Sequence, residues 1–221
     1  MRRPTRTSYS ALSTYENCPR SYALYYLEGH DTEAGPAANR GTRLHLACER
    51  FLRDEIPYEK LPIEFIHIRD ELAMMKSLGA KAEEVWLVDE HWSIQEAEDH
   101  TTRYKAVVDI HYLVGDTLHI RDLKTGRAYP EHADQLQSYA ACGAAKYPHV
   151  KDIIVAPLYL EGIGPGVTYS IAIVPFLQNL WRERWDKLFA EAEWPANPSP
   201  EACRYCDYVK MGLCDSPWGR K

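Results

Sequence analysis

The strongest constraint on this chain is a pair of apolar runs, YKAVVDIHYLV at 104–114 and TLHIRDLK at 117–124, separated only by Gly115-Asp116. A two-residue loop opening with glycine between β-branched and aromatic runs predicts a β-hairpin. The register then follows by counting outward. Val114 faces Thr117, Leu113 faces Leu118, Tyr112 faces His119, and Asp109 lands opposite Asp122. Directly opposed residues have Cβ atoms roughly 4.5–5.5 Å apart, where two like charges destabilise a sheet. A cation between them reverses that sign. The strand period puts Asp122 and Lys124 on one face and turns Leu123 the other way, into packing.

Two carboxylates and an ammonium on one face suit metal-assisted hydrolysis of a phosphodiester. Hard oxygen ligands select Mg²⁺ or Mn²⁺, and a nearby lysine orients water or stabilises developing negative charge. The plain alternative makes Asp122 and Lys124 surface residues at a strand end, with Asp109 merely exposed. The opposed aspartates weigh against it.

The remaining pattern predicts a mixed α/β chain. Residues 10–28 read as helix broken at Cys18-Pro19, because proline biases the preceding residue away from helical backbone. Leu44, Ala47, Cys48 and Phe51 give 41–53 an amphipathic helix. A weaker helical pattern covers 61–78, and 84–95 is strand-like. A helix is expected at 132–147, with Leu136, Ala140, Ala144 and Tyr147 along one side. Strands are expected at 152–160, where Pro157 suggests an edge or bulge, and at 167–174. Pro175 opens a helix to about Trp194, with Leu177, Trp181, Leu188 and Ala192 as its stripe. The chain divides into an N-terminal segment (1–40), a core (41–194) and a cysteine-bearing tail (195–221).

Six cysteines occur, and Cys203, Cys206 and Cys214 crowd into the tail, which points to metal or cluster ligation. The basic start, with Arg2, Arg3 and Arg6, is not followed by an apolar stretch of signal-peptide type, and no run is long enough to span a membrane. A cytoplasmic protein with no membrane partner is expected. The net charge of −6 gives no global basic footprint, although Arg121, Lys124 and Arg127 form a local basic stretch.

With these residues in order, the chain resembles the PD-(D/E)XK nuclease superfamily, and within it the RecB-like branch and the iron–sulfur exonucleases associated with CRISPR adaptation. The resemblance rests on Gly41-x-x-x-His45, Val108-Asp109, Asp122-Leu123-Lys124 and Gln135-x-x-x-Tyr139, together with Tyr15-x-x-Cys18-Pro19-x-x-Tyr22. It implies a restriction-endonuclease-like mixed sheet flanked by helices. It also implies Mg²⁺ or Mn²⁺ held by His45, Asp109, Asp122 and the Leu123 carbonyl, with Lys124 as the catalytic lysine. Gln135 and Tyr139 would support the site or contact DNA. Cys18 would complete Cys203, Cys206 and Cys214 as ligands of a [4Fe–4S] cluster joining the two ends of the chain. Seven residues lie between Cys206 and Cys214, more than the family pattern leads one to expect, and structural Zn²⁺ is the alternative. The implied activity is DNA hydrolysis, exonuclease rather than endonuclease, in repair, recombination, phage or CRISPR-adaptation assemblies. The rival readings are a catalytically silent DNA-binding or scaffolding module and a zinc-binding interaction protein.

Overall fold

The computed structural model describes residues 3–127, 132–204, 206–215 and 218; Arg2 of the basic start lies outside them. Two compact units emerge, one of residues 34–181 and one combining 1–33 with 182–221.

In the second of these, helix α1 (Tyr9–Asn17) is capped by the Ser8 hydroxyl and ends at Cys18, whose extended backbone lets Pro19 open α2 (Pro19–Tyr22). A wider helical turn continues through Leu27. The break is therefore at the expected residue.

The 34–181 unit begins with α3 (Pro36–Leu52), which starts five residues before the expected 41. Pro36 fits the first helical turn, and its PAANR opening has no apolar periodicity to reveal it. Then come α4 (Arg69–Ser77), β1 (Lys81–Val88), β2 (Ile94–Gln95), β3 (Tyr104–Val114) and β4 (Thr117–Lys124). They are followed by α5 (His132–Lys146), β5 (Asp152–Tyr159), β6 (Gly162–Ile163), β7 (Val167–Ser170) and α6 (Val174–Ala190). The division between units falls within α6, and Ala192 is exposed beyond its end.

The strand order is β2-β1-β3-β4-β5-β6, with β7 also on β5. β4 and β5 run parallel and the other pairs antiparallel. Parallel neighbours need a crossover, and α5 supplies it. The β3–β4 hairpin has the counted register, Val114 with Thr117 through Ile110 with Arg121, and Gly115 adopts the left-handed backbone (φ +58°) that its turn requires. Pro157 is not on a sheet edge. On that side of β5, β7 pairs up to Val155 and β6 resumes at Leu158, so the missing N–H falls in the gap between two partners.

Alternation along β4 gives the sheet two packed faces. Leu123 joins Ile110, Tyr112, Leu158 and residues of α3 and α4 in one apolar cluster. Leu118 and Ile120 meet α5 on the other face, where Gly143 comes so close that a Cβ there would sit 2.8 Å from Leu118. Arg121, one member of the local basic stretch, is buried. Its guanidinium donates to the Ile120 and Ile154 carbonyls and to the Tyr112 hydroxyl. Strand alternation turns it off the face that carries Asp122 and Lys124.

Candidate active site

Asp109 lies on the central strand β3 between two acidic neighbours. Toward β4 the ladder ends at Ile110 with Arg121, so Asp122 is level with Asp109 one residue further out. Toward β1 the pairs Ala82 with Ile110 and Glu84 with Val108 leave Glu83 level with Asp109 as well. Three carboxylates thus line up across three strands. Asp109 Oδ2 accepts a 2.7 Å hydrogen bond from the Leu123 N–H, which ties β3 to β4 where the ladder opens.

Sequence reasoning gave Glu83 no role. It has a left-handed backbone (φ +51°), which costs a non-glycine residue on the order of 1–3 kcal/mol. The adjacent glutamates then reach different partners. Glu84 accepts from Trp86 Nε1 at 2.7 Å and lies 3.0 Å from the buried His111. Glu83 Oε1 lies 3.3 Å from His45 Nδ1, which is also 3.5 Å from Asp109 Oδ1. Burial alone would lower the His45 pKa, but hydrogen bonds and charge from Asp109 and Glu83 raise it to about 10 and hold the ring protonated.

On the α5 side, Lys124 Nζ lies 2.6 Å from Asp122 Oδ2 and donates to Gln135 Oε1 at 2.7 Å. Gln135 Nε2 donates in turn to the Tyr139 hydroxyl at 2.7 Å, one helical turn along. Lys124 thus bridges the buried Asp122 carboxylate to Gln135 on α5. Burial, and then the Asp109 charge, raise the Asp122 pKa to about 7 against the pull of Lys124 and His45. Tyr139 is buried and its phenol is held well above its ordinary pKa, chiefly by burial and then by Asp122 and Asp109.

These residues fit a divalent cation. His45, Glu83 and Asp109 each offer a ligand atom, all within 4.8 Å of one another. Ligands on opposite sides of an octahedral Mg²⁺ are about 4.2 Å apart, so the group needs little closing. A cation would replace the proton on His45 and relieve the row of carboxylates. Asp122 is near enough to feel the charge of both Asp109 and His45, although it is not among the three residues whose ligand atoms lie within 4.8 Å of one another.

The model of the PD-(D/E)XK nuclease superfamily matches residues 6–211. The chain belongs to the PD-(D/E)XK nuclease superfamily. A solved structure of a presumed exonuclease from Eubacterium rectale is similar to this PD-(D/E)XK chain at 11% identity and a TM-score of 0.55, covering 96% of this chain and 90% of that one. At that identity the likeness shows the fold alone. A second structure, of SSO0001, is 14% identical with a TM-score of 0.44, covering 96% of this chain and 87% of that one. No curated protein matches significantly. The mixed sheet flanked by helices is consistent with the restriction-endonuclease-like fold. Among the described residues, no helix is long and apolar enough to cross a membrane.

In the unit formed by the chain ends, Cys18, Cys203, Cys206 and Cys214 line one cavity of about 780 Å³. Asn197 N–H donates to Cys18 Sγ at 3.4 Å. Burial, and then the neighbouring thiols, raise the Cys214 pKa. No three of the four sulfurs lie within 4.8 Å of one another, among the described residues. Cys48 and Cys142 are buried elsewhere, as small apolar side chains.

Proposed function

We propose that this protein is a metal-dependent DNA exonuclease. The observation that carries the reading is the donor set of His45, Glu83 and Asp109 beside the buried Asp122–Lys124 pair, in a chain of a nuclease superfamily. His45, Asp109 and Asp122, with the Leu123 carbonyl and Glu83, would hold Mg²⁺ or Mn²⁺. When bound, such an ion supplies an activated water and polarises the phosphoryl oxygen.

The chain's own residues do the rest. Lys124 presents its ammonium toward the attacking water and the charge that develops on phosphate. Gln135 and Tyr139 fix that ammonium through consecutive hydrogen bonds, so they act as positioning residues. Glu83 and Asp109 hold the His45 ring in place from one side. Exonuclease rather than endonuclease is what the resemblance of the sequence motifs implies, and end-labelled substrates separate the two. Repair, recombination, phage or CRISPR-associated processing are the settings that such an activity suits. The four cysteines would hold a [4Fe–4S] cluster, a reading supported by their convergence on one cavity.

The test incubates the full chain with end-labelled single- and double-stranded DNA in Mg²⁺, Mn²⁺ or EDTA. Loss of label from the ends should require metal. Asp122→Ala and Lys124→Ala should each lower the rate at least about 100-fold. Equal degradation in EDTA, or full activity in both variants, would overturn the reading.

A further inference from the structure

Immediately beyond Lys124 lies a groove of about 570 Å³, lined by Arg40, Thr125, Gly126, Arg127, Tyr159 and the β5–β6 turn. We infer that this groove receives the sugar–phosphate backbone of the substrate strand, with Arg40 and Arg127 as its phosphate-binding groups. The inference rests on the nuclease reading above and names where that site takes hold of its substrate.

The groove is attached to the catalytic residues twice. Arg127 follows Lys124 by three residues, which even fully extended span no more than about 11 Å. Arg40 precedes His45 by five residues on α3, a rise of about 7.5 Å along the helix. A strand whose scissile phosphate lies at His45 and Lys124 therefore has its neighbouring phosphates within reach of both arginines.

Local packing makes the groove a built feature. Arg40 Nη1 donates to the Thr125 carbonyl at 2.9 Å, which anchors the guanidinium at the groove wall. That bond uses one of its five donors. Gly41 permits the approach, since a Cβ there would be 3.3 Å from Thr125 Oγ1. Gly164 also lines the groove, where an added Cβ would sit 2.7 Å from Tyr159 Cε2.

Charge points the same way. In a chain of net charge −6 the groove presents two exposed arginines against one acid, Glu161. Arginine forks match phosphate oxygens in bidentate fashion. A basic groove beside a metal centre is what a polyanion needs, because the carboxylates of the site would otherwise repel it.

The experiment measures anisotropy of a fluorescein-labelled oligonucleotide, single-stranded and duplex, bound to the full chain in EDTA across a salt series. Each of Arg40→Gln and Arg127→Gln should lower the slope of log K against log salt by about 0.7 on single strands or 0.9 on duplex. At 0.1 M salt that is a loss of about five- to eightfold in affinity per substitution. Arg50→Gln, elsewhere on α3, should change neither. Wild-type-like slope and affinity in the double variant, with binding by wild type intact, would overturn the groove and leave the nuclease reading standing. Failure of the wild-type chain both to bind DNA and to degrade it in Mg²⁺ or Mn²⁺ would remove the nuclease reading itself, and the groove with it.

Discussion

Replacing Asp122 with asparagine should stabilise the metal-free protein, and more at pH 8 than at pH 5. Asp122 is 1% exposed, and burial together with Asp109 raises its pKa to about 7. In the unfolded chain an aspartate titrates near 3.9. The folded protein therefore holds a proton that the unfolded chain releases, and stability falls as pH rises from about 4 to 7. Below that window the penalty is absent, and above it the penalty is complete. Three pKa units at 1.36 kcal/mol each set a ceiling of about 4 kcal/mol at pH 8, against about 1–2 kcal/mol at pH 5. Asparagine keeps the shape and removes the charge, but it also removes the ion pair with Lys124, which retains Gln135 as a partner. A net gain of about 1–3 kcal/mol at pH 8 follows, shrinking by about 2 kcal/mol at pH 5. Urea unfolding in EDTA at the two pH values measures it. Saturating Mg²⁺ should reverse the order, because only wild type keeps the full ligand set. An equal difference at both pH values, or a less stable variant at pH 8, would refute the electrostatic account of this carboxylate.

Gly143→Ala should destabilise by about 1 kcal/mol, because overpacking against the fully buried Leu118 and Ile120 outweighs the gain of about 1 kcal/mol in helix propensity; thermal unfolding checks it, and a rise in midpoint would contradict the packing. Changing both Cys203 and Cys206 to serine should abolish the brown visible absorption expected of a cluster and lower stability. A colourless wild type carrying one zinc per chain, or a serine variant of full stability and activity, would count against the cluster.

The hairpin was legible because its information is local. A two-residue turn fixes the pairing of every later residue, so Asp109 and Asp122 could be set opposite each other by counting, and the ladder from Val114 to Ile110 follows that count. His45 and the Gln135-x-x-x-Tyr139 pair were legible only through family resemblance, since a lone histidine or glutamine on a helix carries no signal of its own. Arg121 belongs to the local basic stretch only in sequence, since strand parity turns it into the interior. The basic pair that does flank Lys124 joins Arg127 to Arg40, residues 87 positions apart that only the fold brings to one groove.

Glu83 shows where counting stops. Its strand pairs with β3 on the side away from the hairpin, across a connection too long to set register from sequence, and its φ is one that few side chains adopt. Yet the like-charge repulsion that Asp122 faces acts on it with equal force. A carboxylate level with Asp109 on one neighbouring strand calls for a counter-charge, and a second on the other neighbour calls for more. Without metal, the protonated His45 and the Lys124 ammonium supply two positive charges to three acids. One divalent cation, displacing the His45 proton, adds one net positive charge and brings the account to balance with Lys124. The sheet therefore tolerates three acids in a row for the same reason that it can bind an ion there, and the strained backbone at Glu83 is the local cost of completing that row.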